Sequence, residues 1–248
     1  MQALSGERLL MAWDLGQNQH DLQRALTVLA LAWPELNRQQ LLQLPIAERD
    51  RLLLQLRALS FGPLLEAYAR CTRCGDAMEF SIPIAAALAE LDAQATSADI
   101  TWQENDRCLR IRQANTADLL ATLDAASTED AEACLLARCV TIEPGCNIDD
   151  SRADESVASY MRSATVRERF DQLHAAIEWR CALHCPQCGH SDSWDLDVSH
   201  FVWLEVRLAA QRLLADIHAI AQRYGWSEQS IAGMSQQRRD AYLELLSA

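Results

Sequence analysis

Apolar positions along the chain change period several times, and each change marks an element. Leu22, Ala25, Leu26, Leu29 and Ala30 recur at helical spacing, and Trp33-Pro34 closes that run. The helical pattern returns from Ile46 to Leu59 through Leu52, Leu53, Leu56 and Leu59. Pro45 suits the first turn of this helix, and Glu48 and Asp50 favour its N-terminus. Phe61-Gly62-Pro63 then breaks it. The period next drops to two. Leu64 to Arg70 reads as a strand leading into Cys71-Thr72-Arg73-Cys74-Gly75, after which Met78, Phe80 and Ile82 alternate with Glu79 and Ser81 as a half-buried strand.

The middle of the chain mixes both periods. Ile100-Thr101-Trp102 and Cys108-Leu109-Arg110-Ile111-Arg112 flank Glu104-Asn105-Asp106 and predict a hairpin. Helices follow over Ala117 to Leu123 and after Ser127-Thr128, where Ser127 caps and Asp130 faces the cap. The polar stretch Glu143 to Glu155 carries Pro144 and Gly145 and reads as a loop.

The last third opens with a helix over Val166 to Ala176. Ile177-Glu178-Trp179-Arg180 enters a second cysteine turn, Cys185-Pro186-Gln187-Cys188-Gly189, and Trp194, Leu196 and Val198 alternate with Asp195 and Asp197 as another strand. One stripe, Val206, Ala210, Leu213, Ile217, Ile220 and Tyr224, then predicts a long helix ended by Tyr224-Gly225-Trp226. Ser227 and Ser235 suit the caps of two short closing helices, the second over Gln236 to Leu246.

The expected fold class is therefore α+β and mostly helical. Helical N-terminal and C-terminal parts are joined by a zinc-ribbon β element, with an inserted α/β middle section. The expected divisions are 1–97 with the first cysteine pair, 98–165 as the insertion, and 166–248 with the second pair and the closing helices.

Composition narrows the function. Half the residues of this 248-residue chain are hydrophobic, enough for a core without disulfides. No apolar run approaches the roughly 20 residues of a membrane span, and the start, MQALSGERLLMAWDLGQ, has no signal-peptide pattern. The net charge of −13 opposes contact with phosphate backbones. Nine cysteines without an export signal point to reduced thiols. Cys108, Cys134, Cys139 and Cys146 fit that reading, with Cys134 and Cys139 as small core residues.

The other cysteines carry candidate chemistry. Cys71, Cys74, Cys185 and Cys188 form two Cys-x-x-Cys-Gly units, each between strands. The two-residue gap lets both sulfurs of a unit point at one tetrahedral centre, and the glycine permits the left-handed turn. Together the units predict one structural Zn²⁺ held by four thiolates. A redox pair normally opens a helix, whereas strands follow both pairs here. An iron–sulfur cluster with Cys181 as a spare ligand, or an open Cys/His site using His184 or His190, are the alternatives. Arg70, Arg73 and Arg180 stand beside the units, either to offset thiolate charge or as ordinary surface residues. Cys74 and Cys185 are 111 positions apart. Closing such a loop costs roughly 4–5 kcal/mol, against about 10–16 kcal/mol for binding structural zinc, so the metal can hold the two arms together.

A full four-cysteine site leaves no position for substrate, and there is no G-x-S-x-G, H-E-x-x-H, Walker loop or H-x-E deaminase pattern. The expectation is a non-enzyme.

A further set of residues resembles a known family. It comprises Leu44-Pro45-Ile46-Ala47-Glu48-Arg49-Asp50, Leu53 to Arg57, Phe61-Gly62, and the first cysteine unit with Glu79-Phe80. It continues with Cys-Pro-Gln-Cys-Gly, Trp203-Leu204-Glu205, Tyr224-Gly225-Trp226-Ser227-Glu228, Arg238-Arg239 and Tyr242-Leu243. These resemble zinc-ribbon baseplate-assembly proteins of contractile phage tails and extracellular contractile injection systems, similar to T4-type baseplate hub assembly proteins. The resemblance covers roughly residues 20–82 and 174–248. It implies an assembly chaperone, adaptor or minor baseplate component, cytoplasmic in the producing bacterium or carried in the assembled particle. The implied partners are baseplate, hub or spike proteins, with no nucleic acid and no membrane span. Only the four metal ligands carry over. Trp203, Tyr224 and Trp226 are candidate partner contacts, with core packing as the competing role for each. The competing function is a nucleic-acid-binding zinc ribbon, which requires a basic face with exposed aromatics.

Overall fold

The computed structural model describes residues 1–94, 99–104, 107–142, 163–175 and 180–247. The elements in order are α1 (Gly6–Gly16), α2 (Asp21–Ala32), α3 (Arg38–Gln43), α4 (Ile46–Phe61), β1 (Leu64–Arg70), β2 (Ala77–Pro83), α5 (Ile84–Gln94), β3 (Ile100–Glu104) and β4 (Arg107–Ile111). Then come α6 (Thr116–Ala121), α7 (Thr128–Cys139), β5 (Val140–Ile142), α8 (Ala164–Ala175), β6 (Arg180–His184), β7 (Ser191–Asp195), α9 (Val198–Tyr224), α10 (Glu228–Ala232) and α11 (Gln236–Ser247). The fold is α+β and mostly helical, as the periodicity predicts. It clusters into two compact units.

The first unit comprises 1–38, 52–63 and 197–248 and is helical. Its axis is α9, 27 residues long, started by the Asp197 side chain accepting from His200 N and ended by Gly225 in the left-handed conformation (φ 70°). Val206, Ala210, Leu213, Ile217 and Ile220 are buried along one stripe, as predicted. Helices α1 and α2 pack on α9. Gly16 permits close approach there: a Cβ on it would lie 2.4 Å from the Trp203 ring. The Arg24 guanidinium covers the same ring at 4.9 Å and its Nε donates to Gly16 O at 2.9 Å. Within α4, Leu52, Leu53, Leu54 and Leu56 are all buried, while Leu59, predicted for the apolar face, is exposed. Three consecutive buried positions, Leu52 to Leu54, already span more than one face, so the segment is covered more widely than one apolar stripe and the period alone does not say which leucines are buried. The 22 basic residues are all arginine. Arg57 uses the planar fork that implies: Nε and Nη2 each donate to Glu205 at 2.7 Å, and Nη1 to Gly62 O at 2.7 Å.

The second unit comprises 39–51 and 64–196. Among the described residues it holds three small sheets: β1–β2, β3–β4–β5 and β6–β7. All pairings are antiparallel, with Leu64 opposite Pro83 and Arg70 opposite Ala77 in the first, and Arg180 opposite Asp195 and His184 opposite Ser191 in the third. The middle sheet packs Leu109, Ile111 and Val140 against Leu136, Val166, Phe170 and Leu173. Asp118, only 1 % exposed, is the polar centre of this part. It accepts from Asn115 N, from both terminal nitrogens of Arg112 and from Arg138 Nε. Burial alone would raise its carboxyl, but the Arg112 guanidinium, the Asn115 N–H and Arg138 together hold it below the usual carboxylate range.

Several expectations change. The strand expected through Val198 ends at Asp195, because Asp197 becomes the cap of α9 and Val198 its first residue. The helix expected over Ala117 to Leu123 starts at Thr116, because Asn115 and Asp118 form a reciprocal capping box, and ends at Ala121, where Thr122 N and Leu123 N turn back to Leu119 O and Leu120 O. Helices α1, α3 and α5 and strand β5 add to the predicted set. The expected loop from Glu143 to Glu155, the turn residues Asn105 and Asp106, and Ala176 to Trp179 lie outside the described residues.

Candidate metal centre

Each cysteine unit is built by a hairpin whose turn needs one residue in the left-handed conformation, which favours glycine. In the first, Cys71 N donates to Asp76 O at 2.9 Å and Gly75 N to Cys71 O at 2.9 Å. In the second, Cys185 N donates to His190 O at 2.8 Å and Gly189 N to Cys185 O at 3.0 Å. Gly75 (φ 74°) and Gly189 (φ 71°) both take the left-handed conformation expected of them. The two turns thus carry the same bonds at matching positions.

The four sulfurs meet. All lie within 4.8 Å of one another, with Cys71 Sγ to Cys188 Sγ and Cys74 Sγ to Cys185 Sγ both 3.7 Å. A tetrahedron with metal–sulfur bonds of about 2.3 Å has sulfur–sulfur edges of about 3.8 Å. The cluster is close enough to hold one metal ion, and its donor set and spacing fit zinc. Cys71 and Cys185 are buried, Cys188 is half-buried and Cys74 exposed. Behind the sulfurs, Ala69 and Met78 are buried, with Phe80, Leu183 and Trp194 packed beside them.

Their electrostatics show why a cation suits the cluster. The N–H of Cys74 leads the groups that draw the Cys71 thiol down to about 6. At Cys74 the N–H of Asp76 also pulls downward, but burial and the sulfurs of Cys188, Cys71 and Cys185 push the thiol up to about 12. Cys71 ionises readily and Cys74 then resists ionising beside it, a conflict that a divalent ion would remove.

The other predicted residues are placed as follows. His184 Nδ1 pairs with Ser191 Oγ at 2.8 Å, and among the described residues neither His184 nor His190 joins the sulfur cluster. Arg70 Nη1 donates to Gly75 O at 3.3 Å and its guanidinium lies over Tyr68. Arg73 is exposed. The side chains of Cys181 and Arg180, and Cys146 entirely, lie outside the described residues. Cys139 is buried, and burial first, then Asp118, pushes its thiol up to about 12. Cys134, expected in the core, is only half-buried and lies 3.6 Å from Ala121 O. Trp203 is buried against Gly16 and Arg24. Tyr224 is exposed, stacks on half-buried Trp226 with centroids 4.9 Å apart, and both meet Tyr242 edge-on. One contact had no signal in the sequence: Thr72 Oγ1 donates to Asp192 Oδ2 at 2.6 Å, across 120 positions.

The model of a family described as T4 bacteriophage base plate protein matches residues 4–202, and the chain belongs to that family. The match runs through both cysteine units and the section between them and stops inside α9. No curated protein and no solved structure matches the chain.

Proposed function

We propose that this baseplate-family chain is a non-enzymatic assembly chaperone, adaptor or minor baseplate component of a contractile phage tail-like injection particle, stabilised by one structural Zn²⁺ on Cys71, Cys74, Cys185 and Cys188. The observation that carries the metal half is the tetrahedral spacing of four sulfurs supplied by two matching turns. Four protein ligands close the coordination shell, so the ion supplies stability and leaves no position for water or substrate. Family membership carries the particle half.

On this reading the stretch between the cysteine units is an insertion between the two arms of a ribbon, and the work is done by surfaces. Its partners are baseplate, hub or spike proteins, met in the cytoplasm of the producing bacterium or in the assembled particle. Tyr224 and Trp226 are the accessible candidates for that contact, and Trp203 supports the helix from inside. Nucleic acid is no part of the reading, because a charge of −13 opposes it. Among the described residues no helix is long and apolar enough to cross a membrane.

Two measurements test the proposal. Elemental analysis of the purified chain is expected to give one zinc per chain; none sinks the metal reading. A tagged chain captured from producing cells is expected to bring down baseplate or hub proteins, and recovery free of every particle component counts against the assembly role.

A further inference from the structure

The cysteine turns meet at a second point beside the sulfurs. Thr72 stands between the two ligands of the first unit, and Asp192 lies in β7, four residues beyond Cys188. The Thr72 hydroxyl donates to Asp192 Oδ2 at 2.6 Å, the length of a hydrogen bond strengthened by charge. Asp192 is fixed in turn, because Oδ1 accepts from Ser193 N at 2.9 Å. The carboxylate therefore takes one bond from its own strand and one from the opposite turn.

We infer that Thr72 and Asp192 form a clasp that aligns the two cysteine units independently of the ion, so that the metal enters a preassembled four-sulfur site. The inference rests on the metal reading above. Two thiolates from one unit bind an ion weakly until the second pair reaches it. How often that pair is within reach is an effective concentration, and a contact that holds the turns together raises it. The same contact slows loss of the ion, since a sulfur that lets go stays beside it. Thr72 is thus a positioning residue: it touches no metal and acts by where it keeps Cys71 and Cys74 relative to Cys185 and Cys188.

The full-length chain tests this. Thr72→Val removes the donor at nearly constant volume, and Thr72→Ser keeps it. Zinc transfer to an excess of chromophoric chelator is followed in both, with cobalt spectra checking that four sulfurs still bind. The expected result is transfer about tenfold faster in Thr72→Val, the low end of what outer partners of metal ligands contribute, with Thr72→Ser close to wild type. Asp192→Ala is expected to add little to Thr72→Val, because both remove the same bond. Equal transfer rates in wild type and Thr72→Val, with one zinc bound in each, would overturn the clasp and leave the metal reading standing. A wild-type chain that binds no zinc would overturn both.

Discussion

The two hairpins that present the cysteines and the helical unit around α9 solve the same problem by different means. The hairpins β1–β2 and β6–β7 are each only two strands. Such hairpins are at best marginal in water. Behind the sulfurs their buried apolar residues are Ala69 and Met78, helped by partly covered Phe80, Leu183 and Trp194, and Leu65 is buried at the far end of β1. The helical unit buries Leu9, Leu26, Leu29, Leu53, Leu56, Val206, Leu213 and Ile220 among others, and locks its polar groups in pairs such as Arg57–Glu205. On the proposed reading the hairpins depend on a few strong metal–sulfur bonds, while the helices spread their stability over many weak contacts. A single change should therefore be far more damaging in the first.

The largest effect expected is on the hairpins. Cys71→Ser or Cys188→Ser should abolish zinc binding and lower stability by several kcal/mol, whereas Cys108→Ser should do neither. Helical circular dichroism from the α9 unit should persist when the hairpins open. Unchanged zinc content and melting temperature in both serine variants would break the comparison at its base.

Next comes the strongest single tie in the helical unit. Arg57 is 4 % and Glu205 21 % exposed, and Arg57 also satisfies Gly62 O. Arg57→Met strands the carboxylate and the carbonyl together and should cost about 3 kcal/mol, read as a lower denaturant midpoint with zinc still bound. A loss as large as that in the cysteine variants would show that the helices are no more distributed than the hairpins.

These residues also mark what the sequence could tell. The cysteine turns were readable because their chemistry is local: two residues between sulfurs, a glycine after them, alternating strands on either side. Both glycine conformations and the antiparallel hairpin from Ile100 to Ile111 came out as expected. Contacts made over long separations were not readable. Arg57 and Glu205 are 148 positions apart, and Thr72 and Asp192 are 120. Both Arg57 and Glu205 lie in stretches that carried the family resemblance, yet nothing in either stretch named its partner. Short elements failed for another reason. Strand β5 has three residues, too few for a period, and Leu59 falls outside the core although it continues the helical spacing of α4, because Leu52 to Leu54 are covered on more than one face.

The smallest effect expected is a pH dependence that belongs to the second unit but not to its cysteines. His174 lies between two backbone groups: Nε2 accepts from Ala114 N at 2.9 Å, and Nδ1 donates to Phe170 O at 2.8 Å. A donor facing Nε2 leaves no room for a proton there, so the geometry requires the neutral ring with its hydrogen on Nδ1. Burial lowers the pKa and outweighs Phe170 O and Asp171, which favour the charged form. The folded chain therefore resists a proton that the unfolded chain accepts near pH 6.5. The stability is intact above that value and is lost as pH falls through it toward the lower folded pKa, by at most about 1.4 kcal/mol per pH unit. His174→Gln keeps an acceptor for Ala114 N and cannot titrate. Between pH 7.5 and 5.5 the wild-type melting temperature should fall more steeply than that of His174→Gln, with any acid effect on the four-cysteine site common to both. Parallel slopes would mean that the folded chain takes up a proton on His174 as easily as the unfolded chain does, so that neither burial nor the Ala114 N–H opposes it.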